Sequence, residues 1–129
     1  MLPVIETRIT DPLTGGQKGQ KPQAYDLIPP DALDALASVY GWGAGKYADR
    51  NWERGYRWGL SFAALMRHAW AFWQGEELDQ ESGLPHMAHA AWHCFVLLSF
   101  AARGIGTDSR KILNRAAGDT APTAAIPPA

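Results

Sequence analysis

The sequence has one cysteine, Cys94, and no apolar run long enough to span a bilayer. A single thiol cannot form an intramolecular disulfide, which excludes the small disulfide-stapled secreted folds. The apolar residues around Cys94 predict a buried, unreactive thiol. Because a recognisable signal segment is also lacking, we expect a soluble, cytoplasmic protein.

An excess of positive charge is lacking too, since 12 lysines and arginines stand against 13 aspartates and glutamates. A protein that wraps a nucleic-acid polymer needs a basic surface to neutralise phosphates, so we expect no such partner. Any anionic ligand would instead meet a local cluster of cations. The length of 129 residues fits one ordinary domain.

Alternation of apolar and polar residues is missing, whereas helical spacing recurs, so the predicted fold class is all-α. Residues 1–28 form an arm with glycines, prolines and lysines but no periodicity, and we expect it to be extended. Residues 116–129 are of low complexity and predict a disordered tail. We therefore expect a single helical domain over residues 1–115, which includes the arm.

Apolar residues repeat at helical spacing in four segments, residues 31–40, 60–74, 85–103 and 108–115. Pro30 suits the first position of the first helix, whereas glycines at 41, 43 and 45 should weaken that helix before Lys46. The second and third helices are joined by a short turn and predict an antiparallel hairpin. The expected architecture is a small helical bundle built on this hairpin.

The stretch SGLPHMAHAAWHC, residues 82–94, places His86, His89 and His93 on one face of the third helix. His68 on the second helix faces the same hairpin, and the connecting turn GEELDQESG is dense in carboxylates. Converging imidazole and carboxylate groups can bind a divalent metal ion. We therefore predict a metal site in the hairpin, with the ligands Asp79, Glu81, His86 and His89.

The same groups are the candidates for catalysis. His68 is a further ligand or an acid–base group, which makes the candidate catalytic set His68, Asp79, His86 and His89. The structural alternative is that His86 and His89 form hydrogen bonds to a buried carboxylate or carbonyl while the turn acids are solvated. His93 lies deeper in the apolar helix, so we expect it to recede into the core.

Two segments could bind phosphate. In GGQKGQKP, glycines beside Lys18 and Lys21 permit a close backbone approach, although composition favours a flexible linker with surface lysines. The segment GKYADRNW combines cation, amide and indole, which can bind a phosphate, read a base edge and stack on a base. A capping and packing cluster is the alternative there. The candidates in this second segment are Lys46, Arg50, Asn51 and Trp52.

Six tryptophans occur between positions 42 and 92. We expect most of them in the core or in an interface between copies of the chain, with stacking on a nucleobase as the alternative. Two long apolar helices in so short a chain leave a face uncovered. We therefore expect a homo-oligomer, a dimer or a tetramer.

Several motifs together are typical of one family. They are TGGQKGQKPQAYDLIPPDAL, the Lys-Tyr-x-x-Arg-Asn-Trp segment at 46–52, Arg67-His68, Gly75-Glu76, Asp79 and the His86/His89 pair. From about Arg8 to Arg110 the chain resembles the dATP/dGTP diphosphohydrolase N-terminal domain family, a mostly phage-encoded group of MazG-like, all-α nucleotide pyrophosphohydrolases. The resemblance adds Tyr47 and Arg67 to the substrate-binding candidates.

The resemblance implies cleavage of a deoxynucleoside triphosphate such as dATP or dGTP to the monophosphate and pyrophosphate, with Mg²⁺ or Mn²⁺ as cofactor. His86 and His89 stand where a MazG-like helix carries a Glu-x-x-Asp metal pair, so a transition metal is the alternative cofactor. The alternative function is a non-catalytic phage protein that sequesters a nucleotide signal in the host cytoplasm, as an anti-defence protein. A purely structural helical oligomer is a third interpretation.

Overall fold

The computed structural model describes residues 5–112. The predicted disordered tail, residues 116–129, lies outside the described residues, as does the end of the short helix expected over 108–115. The chain divides into an N-terminal unit, Met1–Pro30, and a helical unit, Asp31–Ala129. Within the described residues, no helix is both long and apolar enough to cross a membrane.

The N-terminal unit contains a β-hairpin where the sequence predicts an extended arm without strands. Strand β1 (Thr7–Thr10) pairs antiparallel with strand β2 (Gln17–Gln20), and Thr7 lies opposite Gln20. The prediction of an all-α chain is therefore correct only outside this unit. Almost every side chain of the hairpin is exposed on both faces, so the sequence shows no apolar alternation there.

The turn of this hairpin is what specifies it. Asp11 Oδ1 accepts the backbone N–H groups of Leu13 and Thr14, each at 2.8 Å, which is the side-chain turn that aspartate favours. Gly15 follows with φ = +78°, a conformation that glycine adopts without strain. The signal for this element is local turn chemistry rather than hydrophobic periodicity.

As far as it is described, to residue 112, the helical unit contains three α-helices, α1 (Pro30–Lys46), α2 (Trp58–Trp73) and α3 (His86–Arg103). The first three of the four predicted helices are confirmed, with α1 continuing to Lys46 and the ends of α2 and α3 shifted by one or two residues. The last turn of α1 continues through its glycines, and there the Lys46 ammonium lies over the Trp42 ring, 5.0 Å from its centroid. This contact joins residues one turn apart and stabilises the helix end.

Helices α2 and α3 form the predicted antiparallel hairpin. Contacts between them run in opposite directions along the chain, with His68 beside His86 and Ser61 beside His93. At the far end, Trp58 packs with the buried side chains of Val96 and Phe100. The Trp58 Nε1–H donates to the carbonyl of Ile105 at 2.8 Å, which fastens the segment after α3 to the start of α2.

Residues after α3 do not form the short helix that the sequence predicts, as far as they are described. Gly104 ends α3 in a left-handed conformation, φ = +67°. The chain then runs beside Tyr56 and Arg57, and Arg57 pairs with Thr107 in a parallel bridge. A side chain at Gly106 would overlap the Tyr56 carbonyl, so this close approach requires glycine.

The Cys94 thiol is exposed, so the prediction of a buried cysteine is wrong. Position 94 lies on a stripe of α3 that points away from α1, whereas Trp42 and Tyr40 of α1 contact the other side of α3 at His89 and Trp92. A matching stripe runs along α2. We call the two stripes the apolar face; it comprises Phe62, Met66, Trp70, Trp73, Met87, Cys94, Phe95 and Leu98.

Candidate functional site

A cavity of about 900 Å³ opens in the helical unit between α1, the connector that follows it, α2 and α3. Small-molecule sites typically have volumes of roughly 300–1,000 Å³. Aromatic rings, cations and imidazoles share its wall. The substrate-binding candidates that line it are Lys46, Tyr47, Arg50, Asn51, Trp52 and Arg67.

Lys46 is held at the cavity by an ion pair and two aromatic rings. Its Nζ donates to Glu81 Oε2 at 2.8 Å and lies 5.0 Å and 5.5 Å from the ring centroids of Trp42 and Tyr47. The hydrogen bond to Glu81 raises the pKa of Lys46, so the group is a cation at neutral pH. Glu81, a predicted metal ligand, thus faces a lysine in this structure.

The connector between α1 and α2 presents the other candidates. Arg50 has a left-handed backbone, φ = 55°, which is uncommon for a residue other than glycine and is often found at functional sites. Its guanidinium is largely exposed, 3.9 Å from Glu53 Oε1. Trp52 packs on Phe100 with ring centroids 6.2 Å apart and still lines the cavity, so it serves both core and site.

Histidines from facing helices cluster beside the cavity, which His68 and His89 line. The Nδ1 atoms of His68 and His86 are 2.9 Å apart, so one ring donates and the other accepts. His68 also stacks on His89, with ring centroids 4.6 Å apart and planes inclined by 10°. His86 and His89 are each only 5% exposed. The predicted histidine cluster is therefore assembled across the hairpin.

A metal-binding geometry arises where His68, Asp79 and His86 meet, because one ligand atom from each lies within 4.8 Å of the others. Burial lowers the pKa of His68. Burial alone would raise the pKa of Asp79, but hydrogen bonds from Ser82 and the nearby imidazoles outweigh it and lower this pKa. Neutral imidazoles and an ionised carboxylate are the forms that bind metal ions.

One buried atom in this cluster lacks a partner. The Nε2 atom of His86 is buried and makes no aligned hydrogen bond with any described residue, although Glu76 Oε1 lies 3.2 Å away. A metal-binding histidine commonly donates its second ring N–H to a carboxylate. Glu76 is in position for that role if His86 binds an ion through Nδ1.

His89 is engaged differently from His68 and His86. Its Nε2 lies 2.6 Å from Ser82 Oγ and 3.9 Å from Asp79 Oδ2, while the Trp42 ring meets its ring edge-on at 5.4 Å. Burial lowers the pKa of His89. Its contacts therefore link α1, the acidic turn and α3, and it lies beside the trio of possible ligands.

His93 does not recede into the core as the sequence predicts, because it lines the cavity. Its Nδ1 is 2.9 Å from Ser61 Oγ, and its ring stacks near His68 with centroids 6.1 Å apart. Burial lowers its pKa to about 4. The spacing of three and four residues places the three histidines of α3 on one helix face, and of these His89 and His93 line the cavity.

These lowered pKa values predict acid sensitivity of the metal-free chain. His68, His89 and His93 all titrate below the ordinary histidine value of 6.5, so the unfolded chain binds protons first as pH falls. The free energy of unfolding should be constant above about pH 7 and decrease below about pH 6.5.

We therefore expect the melting temperature in EDTA to fall between pH 7 and pH 5. The His93→Gln variant, which lacks one of these titrating rings, should show a shallower fall. An equal slope for the variant and the original chain would contradict the assignment of His93 as a buried neutral ring.

Lys18 and Lys21 belong to the N-terminal unit. Lys21 pairs with Glu6 at 3.2 Å, and Lys18 donates to the Gly19 carbonyl at 3.2 Å. The cavity described above is built wholly from residues of the helical unit. A phosphate-binding role for these two lysines stays a prediction from the sequence.

Sequence reasoning also missed part of the site. Trp42, Tyr56 and Ser61 line the cavity, yet none was a candidate. Ser61 had a usable signal, because it precedes His68 by seven residues and so shares its helix face in an otherwise apolar segment. Tyr56 had none, since only the fold brings it to Ser61.

Comparison with known proteins gives a family assignment. The sequence model described as dATP/dGTP diphosphohydrolase, N-terminal, matches residues 12–110. Curated proteins gave no match, and neither did solved structures. The match covers more than half of the chain and includes the whole cavity, as the sequence motifs predict. The chain therefore belongs to the dATP/dGTP diphosphohydrolase N-terminal domain family.

Proposed function

We propose that the chain hydrolyses a deoxynucleoside triphosphate of the dATP or dGTP type to the monophosphate and pyrophosphate. The observation that carries this proposal is a cavity lined by cations, aromatic rings, His68 and Asp79, the last two of which form a possible metal cluster with His86. The family assignment supports a nucleotide hydrolase. A MazG-like architecture, which the resemblance implies, is part of this proposal.

In this proposal the cations and rings bind the nucleotide. Lys46, Arg50 and Arg67 face the phosphates, because charge-assisted hydrogen bonds to phosphate are stronger than neutral ones. Trp52 and Tyr47 offer surfaces for the base, and Asn51 offers an amide to its edge. In the reaction, the oxygen of a water molecule bonds to the α-phosphorus, the bond from that phosphorus to the bridging oxygen breaks, pyrophosphate leaves with that oxygen, and a proton of the water is released to solvent.

A divalent metal ion fits the cluster of His68, Asp79 and His86. The Nδ1 atoms of the two histidines are 2.9 Å apart, about the separation of neighbouring nitrogen ligands whose bonds to one ion are about 2.1 Å. The unpartnered Nε2 of His86 would then donate to Glu76. Such an ion, when bound, supplies positive charge to the phosphates and lowers the pKa of a bound water.

The donor set predicts a preference among metals. Two imidazoles and one carboxylate favour borderline transition ions over Mg²⁺, so Co²⁺ or Mn²⁺ should raise the melting temperature of the metal-free protein at lower concentration than Mg²⁺ does. Asp79→Asn should remove most of this shift, and Glu77→Gln, a change in the same turn outside the cluster, should not. Stronger stabilisation by Mg²⁺ than by Co²⁺ would contradict this ligand set.

The function itself is tested by measuring pyrophosphate after the purified chain is incubated with dATP or dGTP. Each nucleotide is tested with Mg²⁺, Mn²⁺ or Co²⁺, and with EDTA as the metal-free control. The proposal expects metal-dependent pyrophosphate release. Recovery of intact bound nucleotide after heating, without turnover under any metal, would contradict hydrolysis and support the alternative of a sequestering protein. No binding and no turnover would contradict both.

We also propose that the chain forms a homo-oligomer through the apolar face, with a second copy as the occupant. The large side chains of this face are between 39% and 75% exposed. With these exposed fractions, four rings of about 150–250 Å² each and three aliphatic or methionine side chains present roughly 700 Å², close to the roughly 800 Å² that each partner buries in a standard interface. A typical monomer exposes a smaller apolar patch, about 300–600 Å².

The geometry of the hairpin makes this face continuous. Cavity residues such as His68 on α2 and His89 on α3 lie on one side of both helices. The apolar stripe of each helix lies on the side opposite to these cavity residues. The stripe of α2 therefore lies next to the stripe of α3. No charged residue belongs to the stripes themselves, and an uncharged surface can pair with its own copy without leaving a buried charge.

A further inference from the structure

A chain of three polar side chains lies beneath the cavity wall. The Tyr56 hydroxyl is 2.6 Å from Ser61 Oγ, and Ser61 Oγ is 2.9 Å from His93 Nδ1. Ser61 is fully buried, with 0% of its surface exposed. Each of these groups therefore depends on the others for its hydrogen bonds.

One arrangement of the hydrogens gives each group of this chain a partner. Either hydroxyl can donate in the bond between Tyr56 and Ser61, and in this arrangement the phenol donates its one hydrogen to Ser61 Oγ. The Ser61 hydroxyl then has its own hydrogen free to donate to His93 Nδ1. A neutral imidazole has one ring hydrogen, so His93 carries it on Nε2 when Nδ1 accepts from Ser61.

The other ring nitrogen of His93 has access to the cavity. His93 lines the cavity. Among residues 5–112, its Nε2 atom is not one of the buried side-chain atoms that lack a hydrogen-bond partner. His68 stacks on one face of the His93 ring. The Trp92 ring meets the His93 ring edge-on, and the centroids of these two rings are 4.8 Å apart. The ring is thus fixed in orientation by packing as well as by Ser61.

We propose that His93 binds a phosphate oxygen of the nucleotide as a neutral Nε2–H donor, held in that tautomer by Ser61 and Tyr56. The inference rests on the nucleotide function proposed above and adds a phosphate contact that the sequence does not indicate. Phosphate is the expected acceptor because the cations Lys46, Arg50 and Arg67 line the same cavity. A neutral N–H donor on His93 orients the phosphate oxygen without adding a positive charge to the cavity.

The tautomer is tested in the free protein by nitrogen–proton correlation spectra of the histidine rings. We expect His93 Nδ1 to be unprotonated and Nε2 to carry the hydrogen. In Tyr56→Phe, Ser61 loses its donor and can accept from the ring, so the population with a hydrogen on Nδ1 should rise. A protonated Nδ1 in the original chain, or no change in Tyr56→Phe, would overturn the proposal.

The phosphate contact is tested by calorimetric binding of inorganic triphosphate and of dATP in EDTA, where hydrolysis does not interfere. His93→Gln places an amide N–H near the position of Nε2, whereas His93→Asn reaches only the position of Nδ1. We expect about tenfold to hundredfold weaker binding of both ligands to His93→Asn and near-original binding to His93→Gln.

Equal affinities for the two variants would overturn the proposal, as would a loss confined to dATP, which would place the donor on the base or sugar. These outcomes are distinct from failure of the proposed hydrolysis. A chain that binds triphosphate in the expected order but releases no pyrophosphate keeps the His93 contact and loses only the reaction. Failure of the original chain to bind either ligand would overturn both.

Discussion

Replacing Asp79 by asparagine is expected to lower kcat/KM for dATP or dGTP by more than about a hundredfold. Asp79 is the only carboxylate in the trio of possible ligands that the described residues form. Loss of an outer partner of a metal ligand already costs about tenfold to hundredfold in metal affinity or activity, and loss of a ligand's charge should cost more. The variant keeps an oxygen that can accept the Ser82 N–H, so the acidic turn should remain folded.

Glu77→Gln is the matched control for this change. Glu77 lies in the same turn and is exposed, and it is not part of the ligand trio. We expect activity within about twofold of the original chain and an unchanged melting temperature in EDTA. If Asp79→Asn hydrolyses nucleotides as fast as Glu77→Gln does, the cluster is not the catalytic centre.

The second large effect concerns the apolar face. Trp70→Glu combined with Leu98→Glu is expected to convert an oligomer into a monomer at micromolar concentration. The two side chains are 58% and 68% exposed in one copy, one on each helix of the hairpin. Truncating a central tryptophan of an interface can cost more than about 2 kcal/mol, and a buried, unpaired carboxylate adds a further penalty. Sedimentation velocity or light scattering measures the change.

Leu13→Glu is the control for added charge. Leu13 is 94% exposed in the turn of the N-terminal hairpin and does not belong to the apolar face. The Leu13→Glu variant should have the same oligomer mass in solution as the original chain. A chain that is monomeric before any substitution, or an oligomer that survives the double change, would contradict a second copy on this face.

The helices could be predicted from the sequence, whereas the β-hairpin could not. Apolar side chains repeat along α2 and α3 because one arc of each helix packs inside the hairpin, and that burial is visible as periodicity. Strands β1 and β2 bury almost nothing, so no period marks them. Only the Asp11 turn and Gly15 carry the information, and the same residues also occur in irregular loops.

The sequence predicts many residues of the candidate site but not all of the contacts between them. The spacing of His86 and His89 placed them on one helix face, and the hairpin brought His68 to them. By contrast, Glu81 meets Lys46 across 35 positions of sequence, a pairing that no local pattern reveals. His93 was assigned to the core because its neighbours are apolar, and the sequence does not show that a cavity opens beside it.

The most direct test of the proposed function is mass spectrometry of the products formed from dGTP in water enriched in oxygen-18, with Mn²⁺ and the full chain. The proposal predicts one labelled oxygen in dGMP and none in pyrophosphate, because water attacks the α-phosphorus. Intact dGTP, or products labelled in pyrophosphate instead of dGMP, would contradict it.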